Sequence, residues 1–152
     1  MVRAEVSSFG GVRINYPHDE CSFNYSPIDF CDQKHVDAYN LALQAEPVNF
    51  NRHYVLLPIK EWSDGDENSI VAIDKDTGVV YPVPIDTFFA SSASKKGKKD
   101  RAKLIYSKDG NSLCIIGSIS VYRSSQTGKF CFQFEGDRFT GYHTTYMGHD
   151  RP

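Results

Sequence analysis

The sequence predicts a mainly β fold with a minor helical part. The expected architecture is a single domain on an antiparallel meander or sandwich-like sheet of about seven strands, with one N-terminal helix. The stretch His53 to Pro84 leads to it, because HYVLLPIKEW, SIVAID and VVYPVP read as three strands joined by an acidic loop and by the tight Asp76-Thr77-Gly78 turn. The later chain repeats that grammar of strand, Gly-containing turn and strand. The composition agrees: 13% of residues are aromatic, with ten Phe and nine Tyr, and aromatic and β-branched side chains suit a half-buried pleated surface.

At 152 residues the chain has the length of one domain, enough to bury about two-thirds of its unfolded surface. Residues 1–31 are rich in Ser, Gly, Pro, Asn and Asp with scattered rings (Phe9, Tyr16, Phe23, Tyr25, Phe30), which predicts an irregular arm pinned to the domain. The globular domain is expected over 32–152. Asp32 is a good N-cap, Val36, Tyr39 and Leu43 form an apolar stripe, and Pro47 stops the pattern, so one helix is expected over 32–46. From His53 to Trp62 apolar residues fall on both parities, so both faces of that strand should be covered.

Pro82 and Pro84 mark an edge or a strand end, and residues 85–89 read as a short turn or helix. Residues 90–101 (ASSASKKGKKDR) lack periodicity and read as a loop. Strands are then expected at 103–107, 113–123, 129–135 and 139–146. The turns between them fall at Asp109-Gly110, at 125–128 and at Gly136-Asp137. In FCFQF, Phe130, Phe132 and Phe134 share one face.

A net charge of -2 gives no long-range attraction for a polyanion, so neither nucleic acid nor an anionic membrane is expected as partner. The basic run Lys95, Lys96, Lys98, Lys99, Arg101 and Lys103 has no interleaved aromatic ring on which bases could stack, and reads as a solvated loop. No stretch of about eighteen apolar residues occurs. The start, MVRAEVSSFGGVRINYP, lacks the apolar region of a signal peptide. The location is expected to be periplasmic if a signal peptide has been removed and cytoplasmic otherwise.

Four cysteines are too sparse to define a disulfide framework. His18, Cys21, Cys31 and His35 could close around zinc, since Cys31 and His35 lie one helical turn apart; a Cys21 to Cys31 disulfide or free thiols fit the same spacing. A Cys114 to Cys131 bond is disfavoured, because a hairpin turn near Gln126 would set Cys131 opposite Val121.

The loop from Trp62 to Ser69 begins like a calcium loop, with Asp64, Asp66 and Asn68 at alternate positions. Ser69 then stands where Gly is required and Lys75 where the closing Glu is. It reads better as a protein-contact surface, an aromatic anchor beside carboxylates that steer a basic partner. Trp62, Asp64, Asp66 and Glu67 are the expected partner-binding residues.

No nucleophile elbow, zinc-protease, phosphate-loop or dinucleotide motif is present. Pairing Cys31 with His53 or His143 has nothing to select it. The expected protein is non-catalytic and without cofactor.

The succession HYVLL (53–57), SIVAIDKDTGVVYPVP (69–84), a strand after Asp109-Gly110 and TGKFCFQFEGDRF (127–139) resembles a loose group of small bacterial all-β proteins. Some of these serve as immunity proteins or inhibitors against secreted antibacterial toxins. The resemblance implies a protein partner, a cognate toxin whose active site is occluded. The other class of reading is a zinc-binding or enzymatic domain organised on His18, Cys21, Cys31 and His35.

Overall fold

The computed structural model describes residues 12–13, 28–62, 66–90, 102–136 and 138–147. In chain order the elements are β1 (Val12–Arg13), α1 (Gln33–Ala45), β2 (Tyr54–Lys60), β3 (Asn68–Asp74), β4 (Val79–Pro82), β5 (Thr87–Phe89), β6 (Lys103–Ile105), β7 (Ser112–Val121), β8 (Ser124–Glu135), β9 (Arg138–Gly141) and a 3-10 turn at Thr145–Met147. The strands join one antiparallel sheet in the order β1-β4-β3-β5-β7-β8-β9, with β2 also on β3 and β6 also on β7. It is a mainly β single domain with one helix, as expected.

The helix is capped as its sequence demands. Asp32 accepts a hydrogen bond from the His35 N–H, and Glu46 closes the last turn by donating to Ala42 O. Val36 and Tyr39 are buried, but the face also carries buried His35 and Ala42, and Leu43 is only partly buried. Its buried face lies on Val55, Ile59, Val71, Ile73 and Val80. The opposite parity of the same strands, Tyr54, Leu56, Ile70, Ala72 and Tyr81, faces Leu113, Ile115, Phe130, Phe132 and Phe134 of β7 and β8. Both faces of β2 are therefore covered, and the molecule has three layers: helix, β1–β4 half-sheet, β6–β9 half-sheet.

Phe134 ties the two half-sheets together. Its ring lies 5.0 Å from Tyr54, 5.2 Å from Tyr81, 4.6 Å from Phe139 and 6.3 Å from Phe50. Edge-to-face and tilted ring pairs at such distances add to the burial of the rings themselves.

The sheet departs from a simple up-and-down succession at β5. Residues 85–89 were expected as a turn or helix; instead Thr87–Phe89 is a strand that pairs with β7 and, at Asn68↔Phe88, with β3. Tertiary pairing on both sides decides its state, which a three-residue segment beside two prolines could not reveal. Gly117 permits this junction, since a Cβ there would sit 2.8 Å from Phe89 O and its φ is +143. At the other end of the chain, the arm expected to be irregular supplies β1, paired with β4 at Val12↔Val80.

The open edge of β2 is closed along its length. Tyr54 N–H donates to Phe50 O, the Asn49 side chain both accepts from Leu56 N–H at 2.7 Å and donates to Leu56 O at 3.4 Å, Pro58 has no N–H, and Lys60 adds a charge. These devices block strand addition at this edge.

The β7–β8 register corrects the expectation for the cysteines. The reversal is the two-residue loop Tyr122-Arg123, with φ of 46 and 69, flanked by the pair Val121↔Ser124. This primed-turn geometry usually selects Asn or Gly. Moving the turn from Gln126 to Tyr122-Arg123 sets Cys114 directly opposite Cys131, and the two form a disulfide with Cα atoms 4.0 Å apart. A bond across a 17-residue separation stabilises by about 3 kcal/mol. The Cys114→Ala/Cys131→Ala double variant is accordingly expected to melt roughly 6–12 °C lower in thermal denaturation.

Candidate functional site

The acidic loop leaves the sheet between β2 and β3, and a buried charge cluster anchors its first residue. His35 is 2% exposed. Its Nδ1 lies 2.6 Å from Asp32 Oδ1 and its Nε2 2.7 Å from Glu61 Oε2. The Ser69 hydroxyl donates to the same Glu61 oxygen at 2.7 Å. Lys34 completes the set, with Nζ 3.6 Å from Glu61 Oε1 and donating to Glu61 O at 3.1 Å. An ionised carboxylate only accepts, so a ring with both nitrogens on carboxylates carries both protons: His35 is an imidazolium clamped between α1 and the end of β2.

The electrostatics agree. Burial pulls His35 toward the neutral form, but the hydrogen bonds it donates to Glu61 and Asp32 outweigh it and raise its pKa above 6.5. Burial likewise raises the two carboxylates, and the bonds to His35 reverse the direction, holding Asp32 and Glu61 below their ordinary values. The cluster contains serine, imidazole and acid, yet Ser69 bonds Glu61 and not the ring, and it is 0% exposed. This set is a clamp; it offers no hydroxyl activated by a base.

The returning side of the loop is tied as well. Glu61 N–H donates to Glu67 O at 3.0 Å, the buried Thr87 hydroxyl donates to Glu67 Oε1 at 2.8 Å, and Ala90 N–H donates to Asp66 Oδ2 at 3.3 Å. Between these ties Trp62 stands 50% exposed. Of the expected contact residues, the structure thus brings Trp62, Asp66 and Glu67 together on one anchored loop; Asp64 lies outside the described residues. Asp66 and Glu67 each spend one carboxylate oxygen on the scaffold.

Of the alternative zinc set, His18 and Cys21 lie outside the described residues. Cys31 is disulfide-bonded to a partner also outside them, and both His35 nitrogens face carboxylates, so neither offers a lone pair to a metal in this state. Among the described residues no cluster of three or more His, Cys, Asp or Glu is placed to hold a metal ion. The bonded state of Cys31 also leaves no thiol for His53 or His143. Residues 95–101 of the basic run lie outside the described residues, and Lys103 is exposed on β6.

His35 stood out in the sequence only as a candidate zinc ligand; its pairing with Glu61 escaped the sequence reading because the two are 26 positions apart. The one local sign was a histidine on the apolar face of the helix, in step with Tyr39 and Ala42.

No helix among the described residues is long and apolar enough to cross a membrane. No family model matches the chain, and no curated protein or solved structure is similar to it.

Proposed function

We propose that this chain is a non-catalytic binding module of the immunity or inhibitor type, which docks on a cationic site of a protein partner and occludes it. The observation that carries this reading is a half-exposed tryptophan on a loop tied down on both sides. A large apolar ring presented on an anchored loop loses little conformational entropy when it enters a pocket. The carboxylates of Asp64, Asp66 and Glu67 would steer and pair with basic groups around that pocket. A secreted bacterial toxin with a basic active site has the required chemistry. All three cysteines within the described residues are disulfide-bonded, which supports work in an oxidising compartment, where such toxins are met.

The test is capture with a photocrosslinker at position 62, followed by affinity measurement on the protein captured. Trp62→Ala is expected to weaken binding by about 2 kcal/mol or more, roughly 30-fold. Neutralising the charges as Asp64→Asn, Asp66→Asn and Glu67→Gln, which keeps an acceptor oxygen for Ala90 N–H and the Thr87 hydroxyl, is expected to slow association and to reduce its salt dependence. Both variants should remain folded. Unchanged affinity in both would remove this loop from the interface.

A further inference from the structure

The core face of the β7–β8 hairpin continues to its tip, with Ile119 buried in the core and Val121 packed against its margin. Ile119 and Val121 of β7 share that face with their cross-strand partners Gln126 and Ser124 of β8. The chain after β9 folds back over them and is fastened at several points. Tyr142 N–H donates to Cys131 O at 2.9 Å, and its hydroxyl donates to Gln126 Oε1 at 2.7 Å. Beyond it the Thr144 hydroxyl donates to Pro84 O at 2.7 Å and the Tyr146 hydroxyl to Asp86 Oδ1 at 2.6 Å. Asp86 Oδ2 in turn accepts from Tyr122 N–H at 3.0 Å, so the strained hairpin tip and the returning chain are held by one buried carboxylate.

Between hairpin and returning chain lies a cavity of about 170 Å³. Its apolar wall is Ile119 and Val121, and its polar wall carries Ser124, Gln126, His143 and Thr145, with Tyr142 at the side. Ser124, His143 and Thr145 make no side-chain hydrogen bond among the described residues, so their groups remain for a ligand. Among the described residues no Lys, Arg, Asp or Glu lines the cavity, so none of them would repay the desolvation of an ionic ligand.

We infer that this cavity is a binding site for a neutral, hydroxyl-rich six-membered ring, a single pyranose unit. A closed cavity of about 150 Å³ holds a bare six-membered ring; this one opens to solvent past the exposed Ser124, Gln126, His143 and Thr145, so a sugar ring would seat on it with part of its hydroxyl rim in water. The chemistry fits too. A sugar presents an apolar C–H face, which Ile119 and Val121 would cover, and a rim of hydroxyls, for which Ser124, Gln126 and Thr145 supply donors and acceptors and His143 a further ring nitrogen. The site lies on elements separate from the Trp62 loop, so it stands or falls independently of the proposed docking there.

The test is an amide NMR titration with methyl α-D-glucopyranoside, with cyclohexanol as the ring that lacks the hydroxyl rim. Saturable shifts confined to about residues 119–126 and 142–145 are expected, with a Kd of about 1–10 mM, given the modest binding obtained per atom by small ligands. Cyclohexanol is expected to bind at least threefold more weakly. Val121→Trp, which fills the cavity from a partly exposed position, should abolish the shifts. Should that variant misfold, Ser124→Ala with Thr145→Ala, both at exposed positions, should weaken binding at least threefold. No saturable shift up to about 100 mM, equal binding of cyclohexanol, or unchanged binding in the variants that fold overturns the inference.

Discussion

Truncating Glu61 to alanine is expected to cost about 3–5 kcal/mol of folding stability, because it strands a buried imidazolium whose second carboxylate, Asp32, cannot satisfy both ring nitrogens. Glu61 is also the acceptor for Ser69, a hydroxyl with 0% exposure, so two buried donors lose their partner together. Denaturant unfolding should show a lower midpoint at an unchanged slope. Replacing both ends of the pair, His35→Leu with Glu61→Met, should cost less than Glu61→Ala alone, since a charge-free contact of similar volume avoids the desolvation that the ions incur.

The same cluster sets a pH window. His35 has a folded pKa raised above 6.5, so its contribution is full below about 6.5 and is lost as pH rises through the raised value. Asp32 and Glu61 are lowered from 3.8 and 4.5, so theirs is full above those values and is lost as pH falls through the lowered ones. The clamp therefore contributes most between about pH 4.5 and 6.5. The pH dependence of unfolding should flatten above pH 6.5 in His35→Leu/Glu61→Met. Identical pH profiles for that variant and the parent would remove the clamp from the account.

Phe134→Ala is the second large effect expected, a loss of about 3–5 kcal/mol. The ring is 1% exposed and touches aromatic rings from both half-sheets, so its removal opens a cavity at the junction of the layers and not at a yielding edge. Phe134→Leu, which keeps most of the volume, should cost about half as much or less. Calorimetry distinguishes the outcomes. A loss below about 1 kcal/mol in Phe134→Ala would mean that the half-sheets are held together elsewhere.

Local rules carried much of the fold into the sequence. Asp32 and Pro47 bracket the helix, and the expected range 32–46 lies one residue outside the observed Gln33–Ala45 at each end; the mixed parity of Tyr54 to Ile59 announces a strand covered on both faces. Asp76-Thr77-Gly78 marks the β3–β4 turn, where Gly78 takes a φ of +76. Phe130, Phe132 and Phe134 do face the core.

What failed had a non-local cause. Tyr122 and Arg123 are poor residues for a left-handed turn, and the geometry is held by tertiary contacts, with Tyr122 N–H bonded to both Asp86 and the Tyr146 hydroxyl. The turn residues of 125–128, ending in Gly128, instead suggest a reversal near Gln126, whereas Gly128 lies within the ladder opposite Gly117; the slip separates the two cysteines. The exposure of Trp62 was legible from its polar neighbours. The clamp beneath it was not, because charge pairing across 26 positions leaves no periodic trace.

Trp62 is the sole tryptophan of the chain, so its fluorescence reports the proposed anchor without labelling. The decisive measurement is its emission while the partner captured through position 62 is titrated in. A shift to shorter wavelength and protection from iodide quenching, both saturating with binding, are expected as the ring leaves water for an apolar pocket. Saturable binding that leaves emission and quenching as they are in the free protein would contradict the proposed anchor.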